Sequence, residues 1–162
     1  MLDATGHEPS QDTTIQMERF ADIVEPLRVL FTDLWSDIAR DQTLPPMDVD
    51  WDSYVRLESL GVTRTFTVRL RGALVGAAVY FIAPNMHHRG TVWATCDVIW
   101  IRPDMRLPLL GLRLLRYAED SLHRAGATVF RVGAKVKRPE LARLLVHMGY
   151  EPVEVHYQKV LP

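Results

Sequence analysis

Residues 95–126 read TCDVIWIRPDMRLPLLGLRLLRYAEDSLHRAG, and the reading of this stretch decides the fold. It begins as an apolar, β-rich run (Val98, Ile99, Trp100, Ile101) that meets Pro103, a residue unable to donate to a sheet ladder. After a short polar turn, Gly111, Leu114, Leu115, Ala118 and Leu122 recur at the spacing of one helical face, and Gly126 supplies a stop. A strand that passes through a tight turn into a helix N-terminus is suited to anions, because the first amides of the helix have no intrahelical acceptor.

The pattern on either side predicts a mixed α/β chain. Residues 1–12 read as a loose polar tail and 13–162 as a single domain. Thr13 to Phe20 is a candidate strand. Leu27, Leu30, Phe31, Leu34, Trp35 and Ile38 mark an amphipathic helix with Pro26 in its first turn, and Trp51 to Leu60 a second helix ended by Gly61. Thr65–Leu70 and Leu74–Ile82 read as a hairpin around Arg71-Gly72, followed by a long apolar strand, Val92–Arg102. The helix after the bend is expected over Pro108–Ala125. Thr128–Ala134 is then a strand parallel to the previous one if the crossover is right-handed. A helix over Pro139–Met148, capped by Gly149, and a strand over Val153–Val160 that closes the sheet complete the reading.

Composition excludes several classes of function. Nineteen Lys and Arg against twenty Asp and Glu, a net charge of −1, provide no global attraction to nucleic acid or an anionic membrane. The single cysteine, Cys96, rules out an internal disulfide and fits a reducing compartment. The longest apolar run, Ala73–Ala83, is too short to span a bilayer. The expected location is therefore cytoplasmic. His87-His88 lacks acidic or cysteine ligands at metal spacing and reads as a solvated loop, so no metal is expected. Trp35, Trp51, Trp93 and Trp100 are expected in the core.

The order Ile101-Arg102-Pro103, then Arg106-Leu107-Pro108-Leu109-Leu110-Gly111 opening a helix with Leu114-Leu115 and Ala118-Glu119, resembles motif A of the GNAT N-acetyltransferase superfamily. Its pattern is strand, V-x-P, then Q/R-x-x-G-x-G/A. Arg106 and Gly111 match; Leu109 stands at the first glycine. The similarity runs from about Thr65 to Leu161, and Met148-Gly149-Tyr150 matches the family's closing G-F/Y step. Lys135-Val136-Lys137 and Tyr157-Gln158-Lys159 are similar to small members from bacteriophage genomes.

The resemblance implies a mostly antiparallel sheet with a central parallel pair that splays apart, flanked by helices, with acetyl-CoA in the gap. The pantetheine would lie along Val98, Ile99, Trp100 and Ile101. The diphosphate would meet Arg106 and the amides of Leu107, Leu109, Leu110, Gly111 and Leu112, Pro108 having none. Leu109 would turn its side chain away at an ordinary helical φ. Asp97, six residues before Pro103, stands where many members place a glutamate. It would accept the proton of an attacking amine, with an amide near Ile99 for the oxyanion. The alternative for Asp97 is a cap or a salt bridge within the sheet.

The family's general-acid tyrosine is replaced by Leu145, and its companion asparagine by Arg138. Tyr157 and Tyr150 are the candidate substitutes. Cys96 would face the opposite side from Asp97, as a small buried hydrophobe. Asp33, Asp37, Asp41, Asp48, Asp50 and Asp52 form an acidic first third that would attract a cationic amine, or else a solvated face. The implied activity is acetyl transfer to a primary amine of a small molecule or protein, with a homodimer left open. The alternative is a GNAT-fold protein that binds CoA or a protein partner without catalysis.

Overall fold

The structure, a computed structural model, describes residues 13–38, 45–107 and 109–161. The expected tail, Asp41 and Pro108 lie outside them. Among the described residues five strands form one sheet in chain order: β1 Thr13–Glu18, β2 Thr63–Leu70, β3 Ala73–Pro84, β4 Val92–Ile101 and β5 Val129–Val132. The first three pairings are antiparallel and β4–β5 is parallel, which is the mixed sheet the sequence predicts. The helices are α1 Val24–Ile38, α2 Trp51–Ser59, α3 Leu110–Arg124 and α4 Pro139–His147.

Period-2 alternation in the strands divides the core between two sheet faces. On one face Phe66, Ala78, Tyr80, Ala94 and Ile101 pack with Leu114, Ala118 and Leu122 of α3. On the other, Ala77 and Trp100 pack with Leu27, Leu30 and Phe31 of α1, and with Phe20 from a 3-10 turn that follows β1. Trp51 packs partly on this second cluster, whereas Trp93 lies between the stacked ring of His88 and the Arg131 guanidinium. Gly126 at φ 102° ends α3, and the amide of Ala127 bonds to Leu122 O; Gly149 at φ 92° ends α4 in the same way.

Three expectations change. The segment from Val153 to Val160 is not a strand: no backbone hydrogen bond joins it to β5 among the described residues, and Val153, Val155 and Tyr157 are exposed. β5 presents only four residues of edge, Pro152 has no amide to donate, and the contact made instead is the Glu154–Arg131 ion pair at 3.6 Å. The parallel pair therefore lies at one side of the sheet rather than in its centre. The second change is between β4 and α3, where the chain takes one 3-10 turn, Pro103–Met105, before the helix begins at Leu110. The third is Leu109, whose φ of 63° is left-handed, not ordinary helical. The family's glycine suits that conformation, and a leucine there costs about 1–2 kcal/mol.

Gly76 pairs with Ile101, the last residue of β4. A Cβ at Gly76 would sit 2.8 Å from Ile101 Cγ1 and 3.0 Å from the Trp100 carbonyl, so backbone would have to move. Gly76→Ala should cost about 1–3 kcal/mol, read as a lower denaturation midpoint in urea.

Candidate active site

The site begins where β4 loses one neighbour. Trp93–Cys96 pair with Val129–Val132 of β5, and the parallel ladder stops there. β4 runs on to Ile101 along β3 alone, which opens a wedge on the β5 side. The β3 register jumps at the same point: Val79 pairs with Val98 and Tyr80 with Cys96, leaving Asp97 as the extra residue of a bulge. Cys96 packs on the α3 face and Val98 on the α1 face, so the bulge sets Asp97 and Val98 on the same side. The expectation that Cys96 and Asp97 face apart holds. Burial, and secondarily the charge of Asp97, pushes the Cys96 thiol up to about 12, which leaves it un-ionised.

Asp97 is exposed, and α2 reaches it: the Tyr54 hydroxyl donates to Asp97 Oδ2 at 2.5 Å. Tyr54 is itself fixed by stacking on Phe20, with ring centroids 4.9 Å apart. α2 is tied down by Glu58, whose Oε1 accepts from the Phe20 amide at 2.7 Å, and by its N-cap Asp50, which accepts from Ser53. Burial, reinforced by Asp97, raises the Tyr54 pKa, so its hydroxyl remains a donor at physiological pH. Sequence reasoning missed Tyr54. It lies 43 residues from Asp97, and its only local signal is membership of the apolar face of α2.

The backbone of the open half of β4 is also oriented. The Arg102 amide donates to Val75 of β3, and antiparallel alternation then turns the amides of Ile101 and Ile99 the other way, into the wedge. At the far end of the wedge α3 begins, and its first-turn amides at Gly111 and Leu112 have no acceptor four residues back within the helix. Leu107 N–H and Leu110 N–H are already engaged, by Met105 O and Leu107 O. Gly111 is not required by packing. A Cβ there would meet Leu144 Cδ2 at 3.5 Å, an ordinary contact.

Arg106 lies at the mouth, donating from Nε to Ile101 O at 2.9 Å. Its guanidinium also approaches Asp37, near the end of α1, at 3.6 Å. Asp37 Oδ2 accepts from Arg138 at 2.9 Å and from the Trp100 indole at 3.2 Å, and the Asp37 carbonyl accepts a second bond from Arg138. Burial of the Asp37 carboxylate works to raise its pKa, but the bonds and charges of Arg138, Trp100 and Arg106 outweigh it and hold the group below the usual range. Beside this knot is a cleft of about 270 Å3 lined by Asp33, Ser36, Asp37, Trp100, Arg102, Pro103 and Asp104.

The wedge thus brings together Asp97, Ile99, Ile101 and Arg106, with Gly111 and Leu112 beyond. The arrangement fits an extended acyl-pantetheine chain ending in a diphosphate: free strand amides line its length, a cation stands at the bend, and a glycine opens the helix. Tyr157 is 95% exposed in the C-terminal segment. Tyr150 donates its hydroxyl to Glu119 of α3, and Leu145 is buried, 6% exposed. His87 and His88 bond through their amides to Asn85, and no group of three metal-ligating side chains occurs among the described residues.

No family model matches the chain. Over 90 residues it is 26% identical to the aminoalkylphosphonate N-acetyltransferase of Salmonella typhimurium, a match that covers 56% of this chain and 58% of that protein. The chain therefore spans little more than half the length of this curated relative. Among solved structures it is similar to an aminoglycoside acetyltransferase from an uncultured soil metagenomic sample, with TM-score 0.75 and 11% identity over 94% of this chain and all of the other. The ribosomal-protein-alanine N-acetyltransferase of Brucella melitensis superposes with TM-score 0.74 and 15% identity, over 93% of this chain and 98% of the other. These likenesses establish the fold as that of the GNAT acetyltransferases.

Asp37→Asn should lower stability by about 1 kcal/mol at pH 7, the scale of a partly exposed ion pair. Because the folded-state pKa of Asp37 is depressed, the contribution is present above the ordinary carboxylate pKa and is lost as pH falls through the folded value. Urea midpoints of wild type and variant should differ at pH 7 and draw together as the pH falls below the ordinary carboxylate range.

Proposed function

We propose that this chain, which has the GNAT fold, is an acetyl-CoA-dependent N-acetyltransferase that acts on a primary amine. The observation that carries the reading is the coincidence of three features at one point of β4. The parallel ladder ends there, the strand bulges, and an oriented carboxylate stands at the vertex. An acetyl thioester would supply the activated acyl group, and every other task falls to the chain's own residues.

Asp97 is the base. With Oδ2 occupied by Tyr54, its other oxygen is left for the ammonium of the acceptor, whose proton it takes so that the free amine can attack. Ile99 N–H faces the wedge two residues further on and is placed to stabilise charge on the acetyl oxygen. Arg106, Gly111 and Leu112 meet the diphosphate at the other end. The Tyr54 and Phe81 rings, with centroids 6.5 Å apart, wall the side from which the amine approaches and favour a cation over a neutral group. The amine acceptors in the relatives' names, an aminoalkylphosphonate and an aminoglycoside, fit this class of substrate. No helix among the described residues is long and apolar enough to cross a membrane.

A second reading, a CoA-binding protein without turnover, is favoured by buried Leu145 at the general-acid position and by the exposure of Tyr157 to solvent. CoA retained through purification, with no acetyl transfer across an amine panel, would select it.

Isothermal titration with acetyl-CoA should show binding; none at millimolar ligand would remove both readings. With an aminoalkylphosphonate, an aminoglycoside and a lysine peptide as acceptors, Asp97→Asn should lower kcat by about 100-fold or more. Tyr54→Phe should lower it by about 10-fold with acetyl-CoA affinity unchanged, since the ring stack is kept. Gly111→Ala should gain up to about 1 kcal/mol of helix stability yet bind acetyl-CoA more weakly, because packing tolerates the methyl group and the approaching phosphate does not.

A further inference from the structure

Asp37 occupies an unfavourable place for an anion. It lies in the last turn of α1, where the helix dipole repels negative charge and where no basic residue of the helix offsets it. What holds it comes from three other parts of the chain: hydrogen bonds from the Trp100 indole on β4 and from Arg138 at the N-cap of α4, and the charge of Arg106 on the bend, 3.6 Å away. The two guanidiniums stand on opposite arms of the wedge, one after β4 and the other after β5. A carboxylate bridging two guanidiniums reproduces the charge and acceptor pattern that a phosphate would present.

We propose that Asp37 is an internal stand-in for the diphosphate. In the ligand-free protein its carboxylate latches Arg106 and Arg138 across the mouth of the wedge, and Arg138, once released, is a second cation for the diphosphate. The inference rests on the acetyl-CoA reading above. A diphosphate carries more charge and more acceptor oxygens than one carboxylate, so it displaces Asp37, and the work of opening the latch lowers the apparent affinity by the open fraction.

The test is titration of CoA, and separately of pantetheine, into folded wild type and variants. Asp37→Asn should bind CoA about five- to fiftyfold tighter, because the competing anion is gone and the open form is no longer a minor population. Pantetheine, which has no diphosphate, should bind both proteins alike. The gain should vanish in Asp37→Asn/Arg138→Gln. Unchanged or weaker CoA binding by Asp37→Asn, or an equal gain for pantetheine, overturns the latch while leaving the acetyltransferase reading intact. Absence of CoA binding by every protein overturns that reading itself. Should Asp37→Asn fail to fold, a crystal structure of wild type with CoA decides. Arg138 bonded to phosphate with the 2.9 Å pair to Asp37 broken supports the proposal, and the pair intact beside bound CoA refutes it.

Discussion

A strand that gives up half its ladder leaves backbone amides and carbonyls that must find other partners, and the rest of this molecule is arranged around that deficit. β4 has neighbours on both edges as far as Cys96 and on one edge beyond it. Ile101 O is taken up by Arg106, which ties the following bend to the strand. The Ile99 and Ile101 amides point into the gap instead. Most proteins keep such groups paired, so an open row of them beside a half-buried wall is a template for an extended polar chain.

The surroundings keep this opening from collapsing. Two separate apolar clusters, one on each face of the sheet, hold β4 from above and below. Gly76 lets β3 approach the end of β4 closely, and a 3-10 turn follows directly after the strand. Around the mouth the interactions are ionic rather than apolar. Ion pairs between partly exposed groups exchange partners at little cost, whereas a packed apolar plug would have to be pulled apart.

Much of the fold was legible because it rests on local periodicity and on glycine. The alternation of 92–101, the helical face from Leu114 to Leu122 and the stops at Gly126 and Gly149 are each readable within a short window. Asp97 was reachable through its spacing to Pro103. Tyr54 was not, since nothing in the stretch between it and Asp97 says that α2 lies beside the wedge. Leu109 misled because a leucine carries no mark of a positive φ; only the neighbouring bend imposes it. The alternating pattern of 153–160 gave a strand by its composition, but a strand also needs an edge long enough to receive it. The acidic first third divides in the structure. Asp50 caps a helix and Asp37 gathers two arginines, so neither is a general attractor of cations.

The bulge at Asp97 fixes more than the direction of one carboxylate. Because strand side chains alternate between faces, the extra residue sets the parity of everything after it: Trp100 toward α1, Ile101 toward α3. One further residue inserted after Asp97 would exchange those faces and drive the indole into the wrong layer, whereas loss of Asp97 would close the bulge and leave the later pairs in register. The strand can therefore give up the bulged residue without giving up its pairing, and what it would surrender is the carboxylate that Tyr54 holds.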